Sequence, residues 1–211
     1  MEDLPYAPYL ESFDGDLVAG GDHTEVWFAD AEFADADAGG SRVSESALTG
    51  VAFTNGRWLR SRFSEVWLDR TRWVGTNLSE TNWLDATVLR SLFAGVEGYG
   101  ATLRRVTFQE CKFSTLNLRG ATLKDVVFDR CELSEVDFGQ AELAGVRFPG
   151  SALRRARFDA ATLREVDLRG ATDLDLASGC ESLRGAVVTS GQLLELAPAL
   201  ARALGILVND G

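Results

Sequence analysis

A large apolar residue recurs at every fifth position through most of this chain. In the stretch ATLKDVVFDRCELSEVDF, residues 121–138, the large residues are Leu123, Phe128, Leu133 and Phe138. A smaller residue, Ala, Val or Cys, stands two positions before each of them. An α-helix repeats its apolar face every 3.6 residues and a β-strand every second residue, so neither produces this period. The five-residue period therefore constrains the fold more than any other feature.

The period keeps one phase from residue 26 to residue 171. Of the 29 centre positions between Phe28 and Leu168, 27 hold a large apolar residue, the exceptions being Ala38 and Gly98. Such self-similarity is typical of a solenoid, in which each unit buries its apolar face by stacking on the next. If each quintet forms one side of a square coil, the centre and the small residue point inward. Seven to eight coils at the spacing of neighbouring strands, ~4.8 Å, would form a rod roughly 35–40 Å long.

The repeat pattern resembles that of pentapeptide-repeat proteins. The pattern (A/V/S/C)-x-(L/F)-x-x is seen in ATLRE, ATLKD, VDFGQ and VDLRG, and it covers residues 26–171. The resemblance implies an all-β solenoid, a right-handed quadrilateral β-helix of pentapeptide repeats with a short C-terminal helical cap. Three glycines, Gly95, Gly98 and Gly100, interrupt the pattern and indicate either a kink near residues 95–100 or a locally loosened coil.

The two ends of the chain depart from the repeat. Residues 1–25 are predicted to form an acidic N-terminal cap, residues 26–188 the β-helix, and residues 189–211 a helical cap. In the last segment Ser190 can act as N-cap and Gly205 as the C′ glycine, while Pro198 would kink or divide the helix. One helical face carries a set of apolar residues, which the resemblance implies could pair two copies into a homodimer: Leu193, Leu196, Ala197, Leu200 and Leu204. Capping in a monomer is the alternative.

No catalytic or metal-binding constellation is visible in the sequence. The single histidine, His23, is expected to be a surface or capping residue, and Cys111 and Cys131 to be structural thiols stacked one coil apart. No phosphate-binding glycine motif occurs, and paired carboxylates lie in no recognisable pocket. We therefore expect no enzyme activity and no cofactor. The cysteine spacing fits a reducing compartment, the cytoplasm, and no apolar run long enough for a membrane span is present.

The acidic charge is concentrated at the N-terminal end. The formal net charge is −11, and residues 1–45 hold twelve acids against one base, whereas the remainder holds twenty of each. Sorted by the four sides of the coil, no side forms an acidic stripe, and this balance disfavours direct nucleic-acid binding. The acidic partner-binding candidates all come from the N-terminal end: Asp14, Asp16, Asp30, Glu32, Asp35 and Asp37.

The resemblance implies a function as a rod-shaped mimic of duplex DNA. Family members of that type bind DNA gyrase or topoisomerase IV, and some confer quinolone resistance. The alternative is an interaction scaffold with a partner that is not a topoisomerase. Its support is a set of outward apolar residues, since an apolar patch on a protein surface often marks a binding site: Trp67, Leu84, Leu89 and Leu92.

Overall fold

The structure is a computed structural model that describes residues 4–207 and Asn209. Residues 1–3 of the expected N-terminal cap and Val208, Asp210 and Gly211 of the expected C-terminal segment lie outside the described residues. The described chain is a parallel β-solenoid of about eight turns followed by one α-helix, α1 (Ser190–Ala203). No helix among the described residues has the length and apolarity needed to cross a membrane.

Strands follow one another around four faces, and each pairs in parallel with the strand one coil further on. Trp73, for example, is in register with Phe53 on one side and with Phe93 on the other. Face 1 consists of β2 (Asp22–Thr24), β5 (Arg42–Ser44), β8 (Arg62–Ser64), β11 (Asn82–Leu84), β14 (Thr102–Arg104), β17 (Thr122–Lys124), β20 (Glu142–Ala144) and β22 (Thr162–Arg164).

The next face along the chain, face 2, has the same ladder structure. It consists of β1 (Glu11–Ser12), β3 (Val26–Ala29), β6 (Ala47–Thr49), β9 (Trp67–Asp69), β12 (Thr87–Leu89), β15 (Thr107–Gln109) and β18 (Val127–Asp129), and β23 (Val166–Asp167) and β25 (Ala186–Val187) extend it. Face 3 consists of β4 (Glu32–Ala34), β7 (Ala52–Thr54), β10 (Arg72–Val74), β13 (Leu92–Glu97), β16 (Lys112–Asn117), β19 (Glu132–Ser134), β21 (Ala152–Arg157) and β24 (Asp173–Ser178).

Face 4 has no continuous sheet and is held mainly by single bridges between coils, such as Asp37 with Arg57 and Arg57 with Asn77. The four faces together form the right-handed quadrilateral β-helix that the resemblance to pentapeptide-repeat proteins implies. The backbone polar groups therefore pair with the coils above and below, as they must in a buried chain.

The interior consists of side chains that stack in columns parallel to the rod. On face 3, the ring centroid of Trp73 lies 4.2 Å from that of Phe53 and 6.1 Å from that of Phe93. On face 2, Phe128 stacks on Phe108 with the centroids 5.1 Å apart. These rings are almost completely buried, and aromatic burial of this kind is the largest favourable contribution that the core offers.

Each corner of the coil is turned by a residue with positive φ. Most of these residues are not glycine; Glu65 and Arg70, for instance, both have a φ of 53°. A left-handed conformation costs a non-glycine residue about 1–2 kcal/mol. The cost is offset by the ladder, since the Glu65 amide donates to the carbonyl of Leu84 at 2.9 Å. The corner positions consequently project their side chains from the four edges of the rod.

Gly98 lies beside a cavity in the core and does not interrupt the ladder. Its amide donates to the carbonyl of Asn117 at 2.7 Å, and β13 pairs with β16 up to Glu97. Gly98 is one of the residues that line an apolar cavity of about 40 Å³ beside Trp83 and Leu118, and a Cβ on Gly98 would lie only 3.0 Å from a methyl carbon of Leu118. Strand pairing is therefore continuous through this segment.

The N-terminal end of the rod begins earlier than residue 26. Strand β2 already pairs with β5, and His23 occupies an inward position in register with Val43. A short 3₁₀ helix (Ala7–Tyr9) precedes β1, which pairs with β3. The ring of Phe13 then packs 5.3 Å from His23 and 4.4 Å from Phe28, so that it closes the end of the core.

The C-terminal end shifts phase by one residue before the helix. Leu174, not Asp173, takes the inward position above Leu153, and the β21–β24 register slips there. A 3₁₀ helix (Cys180–Ser182) and β25 follow. The expected N-cap Ser190 is wrong: the N-cap is Thr189, because its side chain forms a capping box with Gln192. If Ser190 were the N-cap, the third helical position would be Leu193, whose side chain cannot accept a hydrogen bond from the N-cap amide.

The helix closes the open end of the solenoid. The Gln192 amide nitrogen donates to the carbonyls of Leu168 and Ala171 at 2.8 and 3.2 Å, which satisfies two groups of the last coil. The helix continues through Pro198 without dividing, and Gly205 follows it with a φ of 70°, as the C′ glycine should.

Candidate functional site

The acidic residues singled out from the sequence form a collar around the first coil and not a row. All six are exposed: Asp14, Asp16, Asp30, Glu32, Asp35 and Asp37. They follow the chain around successive sides, because neighbours in sequence lie on different faces of a coil. Asp37 is also partly neutralised, since its carboxylate lies 3.3 Å from the guanidinium of Arg57.

A row of carboxylates does exist, but it lies on an edge of the rod. Glu25, Glu45, Glu65 and Asp85 are the corner residues between faces 1 and 2, each one coil above the last, and we call them the acidic edge. Their neighbouring strands are in register, so the spacing along the row is that of paired strands, ~4.8 Å. A single-file row of like charge at this spacing repels itself.

The acidic edge is uninterrupted by any base until Arg105. The outward residues beside it are neutral over these coils: Thr24, Ser44, Ser64 and Leu84 on face 1, and Trp27, Ala47, Trp67 and Thr87 on face 2. The Arg105 guanidinium lies 2.6 Å from the Asp85 carboxylate, and this hydrogen bond lowers the pKa of Asp85. The three glutamates have no ion-pair partner among the described residues.

Sorting charges by side concealed this row. The expectation that no side is an acidic stripe counted each corner with the face before it over the whole rod, so bases such as Arg62 and Arg104 offset the glutamates in the count. The signal was present in the sequence as three glutamates at a spacing of twenty residues, Glu25, Glu45 and Glu65. Reading it requires the knowledge that the corner side chain points away from the rod.

Two tyrosines of the N-terminal segment lie against the acidic edge. Pro5, Tyr6 and Tyr9 line a cleft of about 250 Å³ together with Glu25, Glu45 and Glu65. Tyr6 is buried, and its burial together with the charges of Glu65 and Glu45 raises the pKa of its phenol to about 12. Tyr9 is 64% exposed. Carboxylates beside aromatic rings favour cations, so this cleft suits a guanidinium or ammonium group.

Most of the remaining charge on the rod is neutralised between coils. Arginines pair with acids one coil away, as in Arg60–Glu80 at 2.8 Å and Arg130–Glu110 at 3.1 Å. Asp69 is buried and receives both Arg90 at 2.6 Å and Arg70 at 3.2 Å. Among the described residues, carboxylates without an ion pair are most closely grouped toward the N-terminal end, on the acidic edge and the collar, and others, such as Asp125 and Glu165, are spread over the rest of the rod.

The structure does not bring the apolar candidates into one patch. Trp67 and Leu84 flank the edge between faces 1 and 2, next to Glu65 and Asp85, whereas Leu89 and Leu92 flank the edge between faces 2 and 3. All four are half-buried. Large apolar residues that are exposed lie elsewhere on the described chain: Tyr9, Val18, Tyr99, Val187, Leu193, Leu194, Leu204, Ile206 and Leu207.

The candidate dimer residues divide between two faces of α1. Leu196 is buried at 3% exposure and Leu200 packs against the core, so both cap the solenoid. Leu193 and Leu204 are 51% and 72% exposed, and Ala197 is exposed as well. The same end of the rod also exposes Leu194, Ile206 and Leu207.

The histidine and cysteine side chains, which could in principle react or bind a metal, are buried in the core. His23 lies inward, at 7% exposure, so of the two expectations for it only the capping role fits. Cys111 and Cys131 are free, buried and one coil apart; a hydrogen bond with Cys111, and then burial, raises the pKa of Cys131. Over residues 4–207, no three His, Cys, Asp or Glu side chains are grouped to hold a metal ion.

Residues 101–175 match the family model described as pentapeptide repeat region. The chain resembles pentapeptide-repeat proteins in its repeat and its four-sided fold, and the matched residues are part of one uninterrupted solenoid. No curated protein matches it in sequence.

Solved structures with some likeness to the chain were also found. A trypsin-treated form of QnrB1, a plasmid-mediated fluoroquinolone resistance protein, is 21% identical over 95% of this chain and 96% of its own, with a TM-score of 0.44. A pentapeptide repeat protein from the Arabidopsis thaliana thylakoid lumen is 15% identical over 58% of this chain and 74% of its own, also with a TM-score of 0.44.

HetL, which is involved in heterocyst differentiation regulation in Nostoc sp. strain PCC 7120, is 18% identical over 84% of this chain and 93% of its own, with a TM-score of 0.26. The architecture of the present chain is established by its own strand pairing.

Proposed function

We propose that this protein is a non-enzymatic binding protein that presents its acidic edge to a basic, DNA-binding surface of a type II topoisomerase, DNA gyrase or topoisomerase IV. Pentapeptide-repeat proteins of this fold are generally structural or interaction proteins. The single observation that carries the proposal is the row formed by Glu25, Glu45, Glu65 and Asp85 along strands that are paired in register.

A groove that binds DNA is built to meet regularly spaced negative charge. One strand of duplex DNA presents a phosphate about every 3.4 Å along its axis. The acidic edge presents a carboxylate about every 4.8 Å, the spacing of stacked strands. The row is shorter and less dense than a DNA strand, so it would engage only part of such a groove. Salt should weaken the interaction strongly, because it is electrostatic.

The cleft between the tyrosines and the acidic edge supports a basic partner. Tyr9 is exposed beside three carboxylates, and an arginine or lysine side chain could stack on its ring while pairing with Glu45 or Glu65. The partner would therefore be recognised by single basic side chains as well as by overall charge. Modulation of the topoisomerase, or its protection from quinolones and other poisons, would be the consequence.

We also propose that two copies associate through the exposed face of α1, and that the protein works in a reducing compartment, the cytoplasm. The exposed leucines Leu193 and Leu204 and their neighbours support the first proposal, since single apolar residues are common on surfaces but a contiguous group is not. Three free cysteines support the second. Joined in this way, the acidic edges of the two copies would lie far from the junction.

An interaction scaffold with another partner is the second candidate. Trp67 and Leu84 favour it, because they flank the acidic edge at Glu65 and Asp85 and give that surface an apolar component that duplex DNA lacks. A partner with an apolar patch beside basic residues would suit this surface.

A gyrase supercoiling assay, with and without a fluoroquinolone, tests the proposal. Wild-type protein at micromolar concentration should inhibit supercoiling or protect the enzyme from the drug. The variant Glu25→Gln/Glu45→Gln/Glu65→Gln should lose this effect by at least tenfold.

The control removes the same charge elsewhere. The variant Glu97→Gln/Glu181→Gln/Glu195→Gln also loses three exposed carboxylates that form no ion pair among the described residues and that lie off the edge between faces 1 and 2, so net charge is matched. It should act like wild type. Equal loss in both triple variants would mean that only net charge matters, and no effect of the wild-type protein on gyrase or topoisomerase IV would leave the scaffold function.

A further inference from the structure

Two arginines on face 1 lie side by side, and one carboxylate, that of Asp22, is in register on the far side of Arg42. Arg42 and Arg62 are direct partners in the β5–β8 register, and both are exposed. Neither guanidinium forms an ion pair among the described residues, although this is the most acidic part of the chain. Like charges that face each other across paired strands destabilise a sheet. Asp22 offsets part of this repulsion at Arg42, whereas Arg62 has Arg42 and the neutral Asn82 as its partners in register.

The arginines rim a recess made by glycine. Gly20 and Gly40 are consecutive corner residues between faces 4 and 1, with φ of 74° and 72°, and a Cβ on either would meet nothing within 4 Å. The resulting cleft of about 330 Å³ is lined by Gly20, Gly21, Gly40, Ser41, Asp22, Arg42, Arg60 and Arg62. Side chains at these two corners would fill the space into which the guanidiniums can turn.

The charges around the cleft leave a net positive site. The Arg60 guanidinium is held by Glu80, at 2.8 and 3.5 Å, so that this pair is neutral. Asp22 lies at the N-terminal end of the cleft, where its carboxylate accepts the Thr24 hydroxyl at 3.2 Å. Arg42 and Arg62 remain as two free cations against one acid.

We propose that this cleft binds a compact phosphate group, either inorganic phosphate or the phosphate of a small ester. Guanidinium groups match phosphate oxygens with paired N–H donors, so one phosphate can bridge Arg42 and Arg62 and remove their repulsion. A long polyanion fits poorly, because Glu25 and Glu45 follow face 1 along its other border and would repel it. The binding does not depend on the topoisomerase proposal and involves a different side of face 1.

Face 1 also supplies a matched control. Arg104 and Lys124 are direct partners in the β14–β17 register, and neither forms an ion pair among the described residues. They project beside the edge between faces 1 and 2, away from the glycine corners. Arg104 and Lys124 are therefore a pair of neighbouring cations like Arg42 and Arg62, but they do not border a glycine-lined cleft.

Titration of the whole protein with inorganic phosphate, at constant ionic strength set with chloride, tests the proposal. Isothermal calorimetry and thermal unfolding should show saturable binding and a rise in Tm, since a ligand that binds only the folded state stabilises it. Arg42→Gln/Arg62→Gln should weaken the affinity at least tenfold, whereas Arg104→Gln/Lys124→Gln should bind as wild type does. Without phosphate, the Arg42→Gln/Arg62→Gln variant should unfold at the same or a higher temperature than wild type, which separates lost binding from misfolding.

Two further ligands identify the source of the phosphate. Tighter binding of adenosine monophosphate than of inorganic phosphate would support a phosphate ester, and the reverse order would support free phosphate. The proposal is overturned if phosphate gives no saturable response beyond chloride, or if both double variants lose binding equally. Binding of a DNA duplex through Arg42 and Arg62, with no response to phosphate, would also overturn it.

Discussion

His23 should make the stability of the protein depend on pH in a way that one substitution removes. Its ring is buried between Phe13 and Phe28, and its Nε2 atom has no hydrogen-bond partner. Burial lowers the pKa of His23, and the nearby charge of Asp22 opposes this only in part. The folded state therefore keeps the imidazole neutral at a pH where the unfolded chain takes up a proton.

The sign and size of the effect follow from that difference. Because the folded pKa is the lower one, His23 contributes its full stability above about pH 6.5, the unfolded value, and the contribution is lost as the pH falls below it. If the folded imidazole stays neutral, the loss at about pH 5.5 is at most about 1.4 kcal/mol. His23→Phe should keep the ring contacts, remove the unpartnered nitrogen and be about 1 kcal/mol more stable at neutral pH.

Urea denaturation of the wild-type protein and of His23→Phe between about pH 7.5 and 5.5 measures the effect. His23 is the only histidine in the chain, so no other imidazole titrates in this range. Carboxylates begin to titrate at the acid end in both proteins, so the difference between the two curves isolates His23. We expect that difference to grow as the pH falls. A difference that stays constant across the range would refute the reasoning, because it would mean that the folded state accommodates the charged ring.

Three further predictions concern other parts of the rod. Asp69→Asn should destabilise the protein by about 1–2 kcal/mol in urea denaturation, because the buried carboxylate holds two arginines. Glu80→Gln, which removes one acid of an exposed pair, should leave Tm unchanged. Equal loss of stability in the two variants would contradict this prediction. Cys111 and Cys131 should not react with a thiol reagent until denaturant is added, since both are buried at 2% exposure, and rapid labelling of the native protein would disprove their burial. Gln192→Ala should cost about 1–2 kcal/mol and raise amide exchange in the last coil, because it removes the side-chain bond of the capping box to the Thr189 amide and the bonds to the terminal carbonyls.

The sequence alone predicted the solenoid because the repeat is a local rule repeated without interruption. Each quintet needs a large and a small inward residue, and positions such as Phe128 and Val126 report this directly. The structure of the two chain ends was harder to predict, because their segments occur once and no repeated pattern supports the assignment. The sequence pattern predicted Ser190 as the N-cap, whereas the N-cap is Thr189. The five-residue phase assigned an inward position to Asp173, whereas Leu174 occupies it.

The surface of the rod was decided by the winding of the chain. Glu25, Glu45 and Glu65 are far apart in sequence, and only the coil length and the left-handed corner place them in one row. The same winding separates acids that are neighbours in sequence, such as Asp35 and Asp37, onto different parts of the perimeter. The sequence by itself therefore determined the path of the backbone and the composition of the core, since both depend on a short-range period. Which charges and rings meet on an edge depends on contacts one coil apart, and on a terminal segment that folds back, so tertiary structure alone decided them.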